Sequence, residues 1–190
     1  LFLKKMDDNR ILFVDLDGTL IKEDLSSLAF FDCLKRYPFK TIFYLFNFIF
    51  KGKPYFKEKI SKNFIIPVNR LKFNTNALEY IRDVKNRHRV VYLISGSHQI
   101  LVDQIDKHLK IFYDSFGTVD NFNMVGKNKV KFINEQLKIN NFDYFGNSKK
   151  DLPIWRYCKK IIYTNENANL KKIIDNSKLD KYQIEANFSE

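Results

Sequence analysis

Cysteine is nearly absent: Cys33 and Cys158 are the only two in 190 residues. Two thiols cannot build a disulfide framework, and neither sits in a metal-binding spacing, so packing alone must hold the core. No secretory signal pattern opens the chain, which with the missing disulfides predicts the reducing, cytoplasmic side. Long apolar runs are missing too. The longest, Phe39–Phe50, is interrupted by Lys40, Thr41 and Asn47, and it falls short of the roughly 20 apolar residues that a spanning helix needs. Histidine is scarce, and His88, His98 and His108 read as surface or packing residues rather than catalysts; Trp155 and Cys158 read as packing. There is no internal repeat and no low-complexity linker. Leu1 is not a natural start, so the chain is expected to be a fragment of a longer protein.

What is present bounds the class. Hydrophobic residues at 45%, with 19 Phe and 10 Tyr, exclude disorder as the main state. A chain of 190 residues suits one domain, or one domain with a sizeable insertion. Lys and Arg number 33 against 22 Asp and Glu, a net charge of +11 that invites an anionic partner. That charge is local. Between Lys35 and Thr75 stand ten cations and one anion, Glu58, so this stretch carries +9 of the +11.

Periodicity gives the organisation. Arg10–Leu16 has the pattern of a buried strand and runs into the turn residues Asp17-Gly18-Thr19. Asp24 to about Phe64 reads as helical: a first helix capped by Asp24 or Ser26 through Leu34, a second over Lys40–Phe50 closed by Gly52 and Pro54, a third over Tyr55–Phe64. Thr75–His88 is an amphipathic helix with Ala77, Leu78, Ile81 and Val84 on one face. Strands then follow at Arg89–Ile94, Ile111–Phe116, Phe142–Phe145 and Lys160–Tyr163. Helices separate or follow them at His98–Leu109, Val130–Ile139, Leu152–Cys158 and Ala168–Asp175. Strands alternating with helices predict an α/β fold, a Rossmann-like parallel sheet covered on both faces. Residues 1–22 and 74–190 form that core, and 23–73 an inserted helical cap that carries the charge. Phe39–Phe50 is expected to be the buried side of the cap, with a membrane-facing or partner-facing surface as the alternative.

Open α/β sheets bind ligands at the carboxyl ends of their strands, and three strands here end in reactive residues. The first ends in Asp15-Leu16-Asp17-Gly18-Thr19-Leu20, where one carboxylate can attack while the other handles protons. The second ends in Ser95-Gly96-Ser97, a hydroxyl and backbone N–H groups suited to phosphate at a helix start. The third is Gly146-Asn147-Ser148-Lys149-Lys150-Asp151. The oxygens of this third turn and of Asp15 suit a hard cation such as Mg²⁺. A lysine between the second and third strand ends would complete the charge balance.

Asp15-Leu16-Asp17-Gly18-Thr19-Leu20, with the later pieces in order over essentially the whole chain, resembles the haloacid dehalogenase-like superfamily. The second aspartate marks its phosphatase branch. The resemblance implies Mg²⁺-dependent phosphomonoester hydrolysis through an aspartyl-phosphate. Asp15 would be the nucleophile and Asp17 the acid/base, with Ser95 holding the transferring phosphoryl group. Lys129 would be the site lysine, with Lys127 the alternative, and Gly18, Thr19 and Gly96 would join Ser95 in binding phosphate. Asp15, Asp17, Asn147 and Asp151 would hold the metal. Asn147 stands where the family usually has aspartate, which keeps open a catalytically impaired module that docks to or regulates a partner. Residues 146–155 and Ile161-Ile162-Tyr163-Thr164-Asn165 are similar to domains of this superfamily fused to UbiA-type polyprenyl transferases. That similarity implies a lipid-linked substrate such as a polyprenyl-phospho-sugar phosphate, a membrane-embedded prenyltransferase as partner, and action at the cytoplasmic face of the membrane. Nucleic acid is not the expected partner, because the basic stretch is too aromatic and apolar for a solvated binding face.

Overall fold

The computed structural model describes residues 10–164 and 167–188. Residues 1–9 of the expected core segment, and Asn165, lie outside the described residues.

Strand β1 (Ile11–Val14) is short and almost wholly buried because it is hydrogen-bonded on both sides, to β2 (Val91–His98) and to β4 (Phe142–Gly146). With β3 (Asp114–Thr118), β5 (Lys160–Tyr163) and β6 (Asp180–Gln183) they form one six-stranded sheet, every pairing parallel, in the order β3-β2-β1-β4-β5-β6. This is the doubly wound arrangement, in which the strand order reverses beside β1 and opens a crevice at the carboxyl ends of β1 and β4. The fold is the expected α/β, Rossmann-like one.

Alternation along the strands sends side chains to two cores. Leu12 and Val14 join Ala77, Leu78, Ile81 and Val84 of α3 (Thr75–Asn86) and Leu101, Val102 and Ile105 of α4 (Gln99–Leu109). Phe13 faces the other way, packing with Phe142, Ile133, Ile154 and Trp155. That second layer comes from α5 (Lys127–Lys131), which runs on through a π turn over Phe132–Gln136, from α6 (Leu152–Trp155), and from α7 (Ala168–Asp175).

Several elements differ from the sequence reading. The strand expected at Ile111–Phe116 is shifted toward Thr118, and β6 was not legible because all four of its residues are exposed. Ser95–Ser97, expected at a helix start, is instead the irregular end of β2, which keeps pairing as far as His98↔Thr118. His98 rather than a hydroxyl caps α4, its Nδ1 accepting from the Ile100 amide at 3.3 Å.

The insertion leaves and rejoins the core through a short bridge, Ile21↔Phe73, with the Lys22 amide donating to the Lys72 carbonyl at 2.9 Å. Between these crossings lie α1 (Leu25–Arg36), capped by Asp24, and α2 (Pro38–Ser61), which Pro38 begins rather than merely interrupts. The expected break appears within α2 at Gly52, whose φ of 77° is left-handed.

The burial expected of Phe39–Phe50 is overturned. Phe39 is 86% exposed, Ile49 73% and Phe50 74%, and Ile42, Phe43 and Phe46 are exposed with them. The opposite side of the helix is the one that packs. Thr41 is buried and its hydroxyl meets Cys33 of α1 at 3.2 Å, while Phe48 and Phe30 both pack on Phe56 with tilted rings. A run that is apolar all round does not say which face turns inward.

Candidate active site

The site begins where β1 stops. The Asp15 amide still donates to the Phe145 carbonyl at 2.8 Å, so Asp15 stands on the line of the strand. Leu16 drops into the core, and its carbonyl collects the amides of Thr19, Leu20 and Ile21. The loop is thereby wound tightly under the two carboxylates. Gly18 makes that possible: its φ is 76°, and a Cβ there would fall on the Asn147 side-chain amide.

Lys129 reaches across from α5 to the same point. Its Nζ is 2.7 Å from Asp15 Oδ1 and donates to the Tyr144 hydroxyl at 2.8 Å. The Tyr144 hydroxyl in turn donates to Asp151 Oδ1 at 2.9 Å. One buried cation therefore links two buried carboxylates through a phenol. The other Asp151 oxygen accepts from the Asn147 amide at 3.1 Å and from the Ser148 amide at 3.0 Å, closing a capping box with Ser148. Lys127 is exposed.

Burial pushes the Asp15 carboxyl up to about 7; the Asp151 charge adds to this, and Lys129 opposes it. Asp17 is also raised, by burial above all, against the donors that hold it. Those donors are the Leu25 amide at 2.8 Å on one oxygen, and the Ser95 and Ser97 hydroxyls at 2.8 and 2.9 Å on the other. Asp17 is thus anchored between the start of α1 and the end of β2.

Other expected residues are placed differently. Ser95 is wholly buried beneath Asp17, and Ser97 lines the cleft in its stead. The Gly96 carbonyl accepts from Thr118 at 2.8 Å and from Lys57 of the cap. Thr19 is wholly buried, and its hydroxyl has no hydrogen-bond partner among the described residues. Asn147 lines the cleft with Gly18 and Gly96.

Sequence reasoning missed Lys57 and Tyr144. Lys57 Nζ also meets Asn123 Oδ1 at 2.8 Å, tying the cap to the loop after β3, and burial lowers its ammonium to about 8 against the pull of Asp17 and Asp24. Its one sequence signal is that Lys53 and Lys57 stand four apart, hence on one face of a helix, and both line the cleft. Tyr144 gave no signal, because a tyrosine within Phe142–Gly146 reads as one more aromatic of a buried strand.

The cleft measures about 410 Å³ and is lined on the side of the insertion and its crossing by Lys22, Glu23, Asp24, Ser26, Lys53 and Lys57. Its floor is acidic: Asp15, Asp17 and Asp151 against one buried lysine. Among the described residues no three His, Cys, Asp or Glu side chains converge as a ready-made metal site. The donors are all oxygens, though, and Asp15 Oδ2 accepts no hydrogen bond from the described residues. Asp15, the Asn147 amide oxygen and Asp151 therefore fit a hard cation whose shell is completed by water and a substrate phosphate. The Asp17 side chain carries three donors and Asp151 four, so of the three carboxylates Asp15 has the oxygen to spare.

Comparison with known proteins bears on the family and the fold. The sequence profile of the haloacid dehalogenase-like hydrolases matches residues 12–156. The uncharacterized protein y4nM of Sinorhizobium fredii is 33% identical over 160 residues, covering 84% of this chain but only 31% of that longer protein. A protein of unknown function from Bordetella pertussis Tohama I shares the fold with a TM-score of 0.67 at 12% identity, over 91% of this chain and 97% of that one. A phosphoserine phosphatase, solved as a phospho-aspartyl intermediate analogue, aligns with a TM-score of 0.57 at 16% identity, over 93% of each chain. An acidic β1 end, a lysine drawn to it and a profile match spanning most of the chain lead to one assignment: this chain belongs to the haloacid dehalogenase-like hydrolases.

Proposed function

We propose that the chain is a phosphatase that hydrolyses phosphomonoesters through a phosphorylated Asp15. The observation that carries this reading is the pairing of Asp15 Oδ1 with Lys129 at 2.7 Å, at the floor of a cleft walled by cap lysines. Lys129 holds one oxygen of the carboxylate and leaves Oδ2 to attack phosphorus in line. Asp17, raised by burial, carries the proton that the leaving oxygen takes as the P–O bond breaks. It then removes a proton from the water that attacks the phosphorus of the aspartyl-phosphate, which frees inorganic phosphate and restores Asp15. Mg²⁺ held by Asp15, Asn147 and Asp151 would supply the positive charge that lets a phosphate dianion approach a carboxylate. Lys53 and Lys57 supply further positive charge from the cap side and favour substrates with a second anionic group.

The natural substrate is proposed to be lipid-linked, such as a polyprenyl-phospho-sugar phosphate, with a membrane-embedded prenyltransferase as partner at the cytoplasmic face. The motif similarity of residues 146–155 supports this. A second reading, an impaired module that binds and regulates such a partner, is favoured by Asn147 alone, since an amide replaces a charge in the metal shell.

The test is release of phosphate from an aryl phosphate and a phosphosugar panel with and without Mg²⁺. Parent activity that vanishes in Asp15→Asn supports the phosphatase. Equal release by parent and Asp15→Asn sinks it. A silent parent whose Asn147→Asp variant turns over establishes the impaired module instead.

A further inference from the structure

We infer that the outward face of α2 between Phe39 and Phe50 is a docking surface for a bilayer containing anionic lipid. Phe39, Ile42, Phe43, Phe46, Ile49 and Phe50 recur at the i, i+3, i+4, i+7 spacing of one helix face, and all are exposed. The stripe runs about 18 Å along the helix. Phe31 of α1, 64% exposed, adds to the apolar surface of the cap. Six large apolar side chains left outward while the opposite side packs are an amphipathic helix turned inside out for a water-soluble cap, and such patches mark interaction sites.

Charge selects the occupant. Lys40 and Lys51 flank the stripe on one side, each placed over a tyrosine ring, Lys40 at 5.2 Å from Tyr37 and Lys51 at 4.8 Å from Tyr55. The insertion's one acid between Lys35 and Thr75, Glu58, is already tied to Lys62 at 2.7 Å. A second copy of the chain would set two strongly cationic caps face to face, which like-charge repulsion disfavours. An exposed apolar stripe with flanking lysines matches the boundary between acyl chains and anionic headgroups, where side chains of this kind bury their apolar parts and keep cations in the headgroup layer. No helix of the described residues is long and apolar enough to cross a membrane, so α2 lies on the bilayer rather than through it.

The docked segment leads across the break at Gly52 to Lys53 and Lys57, which line the cleft. Docking would hold the cleft near phosphate carried at the membrane surface. This last step rests on the phosphatase reading above; the docking itself does not.

Flotation with phosphatidylcholine vesicles, and with vesicles that also contain phosphatidylglycerol, separates the alternatives. The parent is expected to float with the anionic vesicles at low salt and less at high salt. Phe43→Ser/Phe46→Ser should weaken binding about ten-fold or more, from the lost apolar burial. Lys40→Gln/Lys51→Gln should weaken it about five-fold per lysine, on anionic vesicles only. Both changes lie at exposed positions, and thermal unfolding should match the parent. In Phe46→Trp, fluorescence should shift to the blue and be quenched by brominated lipid, with buried Trp155 as a constant background. A parent that stays unbound from anionic vesicles overturns the proposal. So does flotation unaffected by the Phe variant, or a stripe-dependent dimer in sedimentation velocity without vesicles. Hydrolysis of a soluble aryl phosphate, measured beside flotation, separates the two readings: loss of one readout leaves the other standing.

Discussion

Neutralising Asp15, the proposed nucleophile, should stabilise the metal-free protein, and the gain should depend on pH. Burial lifts the Asp15 carboxyl from its ordinary value of 3.8 to about 7, because Lys129 only partly offsets desolvation and the Asp151 charge. A carboxyl whose pKa is higher folded than unfolded binds its proton more tightly in the native state. Its contribution to stability is thus complete below about pH 4 and is lost as pH rises toward 7. Each unit of difference corresponds to about 1.4 kcal/mol, so the full window is worth at most about 4 kcal/mol. Asp15→Asn does not titrate there. Urea denaturation of both proteins at pH 4, 6 and 8 in EDTA should show the difference in stability moving in the variant's favour by about 2–4 kcal/mol between pH 4 and 8. Saturating Mg²⁺ should shrink that difference by binding the parent's carboxylate. A difference that does not change with pH, or that moves toward the parent, would refute the assignment of Asp15 as a strained, desolvated carboxylate.

Other perturbations probe the neighbours. Tyr144→Phe deletes the hydroxyl between Lys129 and Asp151 and should cost about 1–3 kcal/mol in urea unfolding, with kcat reduced more than KM changes. Gly18→Ala, at a φ of 76° and against Asn147, should cost about 1–3 kcal/mol and weaken Mg²⁺ binding in calorimetry; an unchanged protein would remove the strain argument. Asn147→Asp restores a charge and should tighten Mg²⁺ binding about ten-fold. Lys57→Met cuts the tie from the cap to Gly96 and Asn123 and should raise KM for doubly charged substrates more than for a simple aryl phosphate.

The parts of the site that lie on the chain's regular elements were readable beforehand. The β1 motif, the strand–helix alternation and the four inward residues of α3 follow from local pattern, so their placement needed no tertiary information. Lys129 is preferred to Lys127 only through the family resemblance, and the structure draws the former to Asp15 while leaving the latter in solvent. What could not be read depends on contacts between distant segments. Lys57 lies 39 residues before Gly96, and nothing in a stretch of ten cations marks the one that meets a carbonyl of the core. The same holds for the Phe39–Phe50 helix. Its apolar residues surround the axis, and packing of Thr41 on Cys33 decided which side stays out.

In the proposed reaction Asp15 carries the phosphoryl group. Acid quench during turnover with Mg²⁺ and an aryl phosphate, borohydride reduction, and mass spectrometry of the peptide spanning β1 test it directly. Residue 15 should be recovered as homoserine, the reduction product of an aspartyl-phosphate. Phosphate release with residue 15 unmodified, or with the modification at Asp17, would contradict it.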